Sequence, residues 1–293
     1  MNIGIHALSH HRLPAPHIRQ LIDWLIGEGH QIFLSQAIEK TLDKLGIEPN
    51  KFQCFSQKDN LRHLDLFLSL GGDGTILDSI VYTVPDKIPI LGINLGRLGF
   101  LAPAESEAYQ QTIRSVAANH FNIQKRSLIE IQMMDDPAQT PEINFALNEI
   151  AISKRDTASM ITVSTVLNGE FLNDYWGDGL IISTPTGSTG YSLSCGGPIL
   201  MPDSKALVIT PISPHNLSMR PLVLPDESIL EIKPTGRQQK VMLSMDSRSK
   251  PILANQKIKV MKSHKTAIFV ALPDVSFSKT LREKLFWGKD LRN

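Results

Sequence analysis

The chain has 293 residues, 42% of them apolar and 20% charged, so it is long enough for two ordinary domains with buried cores. Lys and Arg number 30 and Asp and Glu number 29, for a formal net charge of +1. This composition excludes a disordered chain, and the charge excludes the broad basic surface selected by nucleic acid or an anionic membrane. Two cysteines, Cys54 and Cys195, predict no disulfide framework, and the N-terminus lacks the pattern of a leader. We therefore expect a cytoplasmic protein.

The first 126 residues alternate strand-like and helix-like segments. Apolar residues recur at helical spacing from Ile18 to Leu25, and a continuous apolar run, 64–70, predicts a buried strand. Strands that alternate with helices predict an α/β domain with a parallel sheet covered on both faces. The predicted strands are 2–8, 31–34, 64–70 and 89–94, and the predicted helices are 18–25, 37–45, 76–84 and 106–118.

Residues 127–272 predict a second, β-rich domain with few helix-length periodic windows. Asn168-Gly169 lies between two strand-like runs and indicates a type I′ hairpin, because both central residues of that turn need positive φ. Residues 273–293 form a closing segment that we expect to pack back as a helix, 278–286. The predicted strands are 128–134, 145–154, 160–167, 180–184, 206–212, 229–233, 241–245, 257–261 and 267–272.

A glycine-rich segment, 71–75 (GGDGT), follows the predicted strand that ends at Leu70. Such a loop before a helix lets backbone N–H groups approach a phosphate closely. No basic residue lies between Arg62 and Lys87, so Asp73 would repel a phosphate unless it met a divalent cation or accepted a proton from an attacking hydroxyl. The alternative is a glycine-rich turn in which Asp73 is only a turn former.

Two further segments carry polar groups where strands are predicted. Asn148 and Glu149 interrupt an apolar strand, which is costly if one of them is covered without a partner, although an edge strand would expose both. Residues 178–198 run from a strand into a loop rich in Ser, Thr and Gly, where Tyr191 offers a flat face to a nucleoside. The alternative for that loop is a strand-to-helix connection without a ligand.

Four segments in this order, namely 71–75, 92–101, 148–149 and 178–198, resemble the NAD kinase family. The GGDG loop alone is less specific, since 6-phosphofructokinases and diacylglycerol kinases carry similar loops. The resemblance implies ATP-dependent phosphorylation of the 2′-hydroxyl of the adenosine ribose of NAD, which gives NADP. It also implies a divalent cation, Mg²⁺, on the ATP phosphates and a homo-tetramer or homo-dimer, and we assign no metal-ligand residues from the sequence.

The resemblance also implies roles for individual residues. Asp73 takes or orients the hydroxyl proton, Gly74 lies against the dinucleotide, and Asn148 and Glu149 hold the hydroxyls of the nicotinamide ribose. Phe100 is an aromatic wall for the adenine or else a core residue. The other dinucleotide-binding candidates are Asp178, which lies near a subunit contact in the family, and the loop residues Thr189, Gly190, Tyr191, Ser192, Leu193 and Ser194.

Three candidates depart from the common family pattern: Ser159, Trp176 and Arg248. They leave the reaction type intact and leave open whether NAD or NADH is preferred. Among residues outside the motifs, we expect His6, His10 and His11 to be surface or turn histidines. Cys195 is expected to be a small packing residue.

Charge is distributed unevenly beneath the neutral total. Residues 156–204 contain five acidic residues and residues 63–86 contain four, and neither segment contains Lys or Arg. Phosphates must then be bound by backbone N–H groups, a divalent cation and basic residues from elsewhere in the fold. The competing functions are a sugar or lipid kinase, which would not need the 186–194 loop, and a non-catalytic NAD(H) sensor, which gains nothing from Asp73. A Rossmann dehydrogenase is disfavoured because no G-x-G-x-x-G follows the first strand.

Overall fold

The computed structural model describes residues 1–8, 15–38, 42, 46–48, 51–94, 99–101, 104–105, 109–155, 159–237, 239–271 and 276–285. The chain divides into two compact units, Met1–Lys125 with Ala267–Asn293, and Arg126–Thr266. The first unit is an α/β structure with a parallel sheet and the second is β-rich, which confirms the predicted fold class.

The strands, in chain order, are β1 Asn2–His6, β2 Gln31–Ser35, β3 Gln53–Phe55, β4 Leu66–Leu70, β5 Ile90–Asn94, β6 Ala104–Glu105, β7 Asn122–Met133, β8 Phe145–Ala146, β9 Glu149–Ser153, β10 Ile161–Leu167, β11 Glu170–Gly177, β12 Gly179–Ser183, β13 Ala206–Ile212, β14 Leu222–Pro225, β15 Leu230–Thr235, β16 Lys240–Met245, β17 Arg248–Leu253 and β18 Ile258–Ala271. The helices are α1 Ala15–Gly27, α2 Asp73–Thr83, α3 Tyr109–Ala117, α4 Tyr191–Ser194 and α5 Phe277–Leu285, with short 3-10 helices at Pro137–Gln139 and Thr186–Thr189.

The parallel sheet of the first unit has the order β3-β2-β1-β4-β5. Its central strands are mostly apolar and buried along nearly their whole length, and α1 buries Ile18, Leu21, Ile22 and Leu25 against the sheet. The strand order reverses between β1 and β4, which is where open α/β sheets bind ligands at the carboxyl ends of their strands. The glycine-rich segment begins at this end of β4.

The second unit contains antiparallel sheets. One has the order β14-β13-β12-β9-β16-β17, and in the other β11, β10, β15 and the first part of β18 follow one another. Apolar side chains from both sheets share one core, including Val163, Leu180 and Leu243. Asn168 and Gly169 have φ values of 50° and 87°, which confirms the predicted type I′ turn between β10 and β11.

The C-terminal helix α5 packs back onto the first unit, as predicted. Thr280 and Leu281 are buried on it, whereas Leu285 is 37% exposed, and the Phe277 ring lies 6.3 Å from that of Phe100. The predicted last helical residue, Phe286, lies outside the described residues, as do His10, His11 and most of the predicted helix 37–45.

Several predicted elements differ in the structure. The predicted strand 145–154 is split into β8 and β9, because backbone N–H groups at the break bind a side chain instead of a neighbouring strand. The two predicted strands 257–261 and 267–272 are one long strand, β18, since no turn residue separates them. Helix α2 begins at Asp73 rather than Ile76, with Gly72 at its N-cap.

His6 was expected at the surface and is fully buried at the carboxyl end of β1. Its Nδ1 lies 2.8 Å from Ser35 Oγ, and its Nε2 lies 2.9 Å from the carboxylate of Asp78. That prediction was wrong because the acidic partner comes from α2, far along the sequence. The contact ties α2 to β1 and β2.

Candidate active site

Asp73 is the first residue of α2, and its carboxylate is held in a fixed position. The backbone N–H of Phe100 donates to Oδ2 at 2.8 Å, and the backbone N–H of Leu101 donates to Oδ1 at 2.9 Å. A carboxylate in the first turn of a helix is also favoured by the helix dipole. Asp73 is therefore an oriented acid rather than a mobile turn former.

Two glycines next to Asp73 are required by close contacts. A Cβ on Gly99 would lie 2.0 Å from Asp73 Oδ1, so only glycine lets the 99–101 segment approach this carboxylate. Gly71 has a φ of 149°, and a Cβ there would lie 2.3 Å from Thr75 Oγ1. Both positions belong to segments identified from the sequence, and their glycines are needed to build the site.

A cation reaches Asp73 from the C-terminal helix. Lys284 Nζ lies 3.4 Å from Asp73 Oδ2, and it also lies 4.4 Å from the centroid of the Phe100 ring. Lys284 is a basic residue that comes from elsewhere in the fold, as the sequence led us to expect. The negative charge of Asp73 is thus offset by a lysine as well as by backbone N–H groups.

In the second unit, Asn148 and Glu149 lie at the break between β8 and β9. The carboxylate of Asp246 accepts backbone N–H groups from Leu147, Asn148 and Glu149 at 2.9, 2.7 and 3.2 Å. Asp246 has a φ of 52°, and its own N–H donates to the Glu149 carbonyl. The buried Asp246 side chain therefore sets the course of the backbone that presents the two polar residues.

Each side chain of this pair has one buried oxygen that makes no hydrogen bond to the described residues. Asn148 Oδ1 and Glu149 Oε2 are buried without a hydrogen-bond partner in the part of the chain that the structure describes. Buried polar atoms are nearly always paired, so such atoms indicate a place where a ligand completes the bonding. The edge-strand alternative weighed from the sequence, in which both side chains are exposed, is thus excluded for Asn148, which is 8% exposed.

Protonation of Glu149 is set by its surroundings. The pKa of its carboxyl is raised to about 8, first because burial disfavours the charged form and then because Asp246 is close, although the Tyr191 backbone N–H opposes the shift. Burial also raises the pKa of Asp246, while three backbone hydrogen bonds and Arg248 lower it. Asp246 accepts three N–H groups that stabilise its charged form, whereas the pKa of Glu149 is about 8, so Glu149 carries a proton at neutral pH.

The hydroxyl-rich loop packs against the same pair. A Cβ on Gly187 would lie 2.0 Å from the Asn148 carbonyl oxygen, and one on Gly190 would lie 3.0 Å from Glu149 Oε2. The Tyr191 ring is 45% exposed, whereas the Ser192 hydroxyl is buried against that of Thr210 at 2.8 Å. The Thr189 hydroxyl donates to the Thr186 carbonyl, Leu193 is half-buried and Ser194 is exposed.

The remaining sequence candidates lie elsewhere on the second unit. Asp178 pairs with Lys154 at 2.7 Å, and the half-exposed Trp176 ring lies 4.2 Å from that of His215. Arg248 donates to the carbonyls of Ile143 and Phe145, and so braces the segment before the β8–β9 break. Ser159 lies two residues before β10.

Comparison with known proteins decides the family. The sequence model of the ATP-NAD kinase N-terminal domain matches residues 19–121, and that of the ATP-NAD kinase C-terminal domain matches residues 147–272. An NAD kinase from Flavobacterium psychrophilum is 42% identical over 294 residues, covering all of both chains, and one from Christiangramia forsetii is 44% identical with the same coverage. The chain belongs to the NAD kinase family.

Solved structures of NAD kinases resemble the chain throughout. A crystal structure of yeast NADH kinase complexed with NADH matches with a TM-score of 0.87 and 26% identity, over 100% of this chain and 89% of that one. An NAD kinase from Archaeoglobus fulgidus in complex with ATP matches with a TM-score of 0.69 and 25% identity, over 98% of each chain. The NAD kinase fold thus extends over the whole chain.

The NAD kinase family resemblance implied a divalent cation. Across the described residues, no group of three or more His, Cys, Asp or Glu side chains is placed to hold a metal ion. Both oxygens of Asp73 are already engaged by donors. These residues do not fit a resident metal centre, so a divalent cation is considered below only as part of the ATP substrate.

None of the described helices has the length and apolar character needed to span a membrane.

Sequence reasoning missed three residues at these sites: Lys154, Asp246 as a support for the 147–149 backbone, and Lys284. Each acts on a residue distant in the chain, so neither local periodicity nor spacing indicates it. The absence of Lys and Arg from residues 63–86 predicted that basic residues come from elsewhere in the fold. It did not indicate that one of them is Lys284.

Proposed function

We propose that the chain transfers the γ-phosphoryl group of ATP to the 2′-hydroxyl of the adenosine ribose of NAD, giving NADP. The observation that carries this proposal is the Asp73 carboxylate, fixed at the N-terminus of α2 beside a glycine-rich loop in a member of the NAD kinase family. A fixed carboxylate beside phosphate-binding N–H groups suits proton acceptance from an attacking hydroxyl. It gives no advantage to a protein that only senses a dinucleotide.

The hydrogen bonds of Asp73 indicate how the hydroxyl is received. An ionised carboxylate offers about four acceptor positions, two on each oxygen. Oδ2 faces the Phe100 N–H and Lys284 Nζ, and Oδ1 faces the Leu101 N–H. We assign the second position on Oδ1 to the ribose hydroxyl, which places the hydroxyl oxygen for attack on the phosphoryl group.

We propose that Asn148 and Glu149 bind the hydroxyls of the nicotinamide ribose. A protonated Glu149 both donates and accepts, and Asn148 Oδ1 adds an acceptor, so the pair matches a vicinal diol. The exposed ring of Tyr191 and the loop through Ser194 are proposed to contact the adenosine. Asp178, held by Lys154, is proposed as a further polar contact to the dinucleotide.

The proposal also covers the metal ion, the cellular compartment and the assembly of the protein. The divalent cation, Mg²⁺, enters on ATP rather than on the chain. The enzyme acts in the cytoplasm. It assembles as a homo-dimer or homo-tetramer, and the apolar edge strand β14 is the surface that favours this assembly, because Leu222 and Val223 are 37% and 47% exposed on it.

The substitution Asp73→Asn tests the assigned chemistry. General-base assistance contributes about 10²–10⁴-fold, so we expect kcat to fall by about that factor while NAD binding, measured by calorimetry, is retained. Asp65→Asn is the matched control, because Asp65 is an exposed carboxylate just before β4 at the end away from the glycine-rich loop, and an asparagine there can still accept the backbone N–H of Asn2. It should keep wild-type kcat.

The product is identified at the same time. The wild-type protein is incubated with MgATP and NAD, NADH, fructose 6-phosphate or diacylglycerol in separate reactions, and the phosphorylated compound is determined by mass spectrometry. Phosphate found only on the sugar or the lipid would overturn the proposed function. Turnover of Asp73→Asn within about threefold of wild type would overturn the role of Asp73 alone.

A further inference from the structure

Lys284 on the C-terminal helix α5 is the group that reaches the proposed catalytic carboxylate from farthest along the chain. Its Nζ lies 3.4 Å from Asp73 Oδ2 and 4.4 Å above the centroid of the Phe100 ring. Asp73 and Lys284 are about one-third exposed, so both remain within reach of a ligand. The contact therefore joins α5 to the exposed side of the glycine-rich loop.

Three contacts fix the lysine. The helix is anchored by the buried residues Thr280 and Leu281, and by Phe277, whose ring lies 6.3 Å from that of Phe100. The Phe100 ring attracts the ammonium through its face, and the Phe100 backbone N–H binds the same carboxylate oxygen as the lysine. Lys284 is thus held between the Phe100 ring and the Asp73 carboxylate.

The distribution of charge in the sequence suggests what the Lys284–Asp73 contact does. Residues 63–86, which include the glycine-rich loop, contain four acidic residues and no Lys or Arg. A carboxylate beside phosphate groups repels them unless a cation is near. On the described residues, Lys284 is the cation whose contact with Asp73 the structure shows.

We infer that Lys284 is a positioning residue for phosphoryl transfer: it holds Asp73 through Oδ2, leaves Oδ1 for the hydroxyl and offsets the carboxylate charge beside the phosphates. This inference rests on the proposed function. It assigns the C-terminal helix a part in the reaction rather than packing alone.

Substitution of Lys284 tests the inference by kinetics. Lys284→Met keeps the aliphatic stem and removes the charge, and we expect kcat to fall by about tenfold to a hundredfold with KM for NAD within about threefold, since small misplacements of reacting groups cost this much. Lys284→Arg retains the cation and should recover most of kcat. Arg282→Met, which removes an exposed cation from the same helix, should leave both constants unchanged.

A double substitution separates positioning from a merely structural role. If Lys284 acts through Asp73, adding Lys284→Met to Asp73→Asn costs little more than Asp73→Asn alone, because coupled residues are not additive. Thermal unfolding of each variant checks folding, and Lys284→Gln replaces Lys284→Met if the latter is unfolded. The inference is overturned by wild-type kcat in the folded Lys284 variant, or by a further tenfold or so loss in the double variant.

The same measurements distinguish the two proposals. A wild-type protein that forms NADP, together with an unaffected Lys284→Met, overturns the positioning role and leaves the proposed function standing. A wild-type protein that forms no NADP from MgATP and NAD overturns both.

Discussion

At the scale of single residues, the buried Glu149–Asp246 pair couples the stability of the chain to pH. The charge of Asp246 contributes to the raised pKa of Glu149, and the backbone N–H groups of 147–149 favour charge on Asp246. Glu149 is left with the proton, and its pKa is raised to about 8 from its ordinary value of 4.5. The folded chain therefore binds a proton that the unfolded chain has released at neutral pH.

The stability of the ligand-free protein should consequently depend on Glu149 in a defined direction. Between about pH 5 and pH 8 only the folded state holds this proton, so the wild-type free energy of unfolding falls with rising pH relative to that of Glu149→Gln. Urea unfolding at a series of pH values measures the difference. Above the folded pKa the difference levels off.

The exposed residue Glu142 supplies the control for this titration, since Glu142→Gln should retain the wild-type pH profile. A difference between wild type and Glu149→Gln that does not change over the pH range would show that Glu149 is charged in the folded protein. It would also remove the reason for assigning Glu149 as a donor to a ribose hydroxyl.

At the scale of elements, helix α2 starts within the glycine-rich loop, and its second residue is Gly74. Among the residues that the structure describes, no atom lies within 4 Å of a Cβ built on Gly74. The absence of a side chain here is therefore not required by packing in the ligand-free chain. We attribute it to the dinucleotide, against which the family resemblance places Gly74.

Gly74→Ala should then separate stability from binding. Ala is favoured over Gly by up to about 1 kcal/mol in helices, so the melting temperature should stay constant or rise. KM for NAD should increase by about tenfold or more, because the added methyl occupies space needed by the ligand. The matched control is Gly27→Ala in the last position of α1, which also has space for a methyl and should not change KM. An unchanged KM for Gly74→Ala would contradict the assigned contact.

At the scale of the whole molecule, the two edges of the six-stranded sheet differ in how they are protected. β17 carries Lys250 and Pro251 in its interior, residue types that prevent edge-to-edge pairing, whereas β14 (LVLP) has no charged residue and has a proline only at its last position. Other exposed apolar residues lie on β11 and in the β13–β14 connection, including Trp176 at 48% and Leu217 at 88%. Such a surface is typical of an interface between subunits.

Val223→Asp on β14 should therefore shift the protein to a smaller assembly, because a charge at the centre of an apolar interface is costly to desolvate. Light scattering coupled to gel filtration measures the mass of each variant. Leu253→Asp, on the opposite edge strand β17 and 51% exposed, is the matched control and should keep the wild-type mass. A monomeric wild type, or dissociation by Leu253→Asp alone, would contradict an interface at β14.

The fold class, most of the strands and the motifs that carry the chemistry could be predicted from the amino-acid sequence. Hydrophobic periodicity and turn residues are local signals, which is why α1, β4 and the Asn168-Gly169 hairpin could be predicted. The glycines at 71–75 and the polar pair 148–149 were recognisable because each breaks the apolar pattern around it. The family resemblance then gave these segments their expected roles.

Which distant groups come into contact could not be predicted and became apparent in the folded chain. His6 contacts Asp78 on α2, Asp246 binds the backbone of 147–149, and Lys284 reaches Asp73 from the other end of the chain. A contact between residues far apart in sequence depends on how strands pair and where a helix packs, and neither leaves a trace in local spacing. The physical reason is that these partners are brought together by strand pairing and helix packing, which exist only in the folded chain.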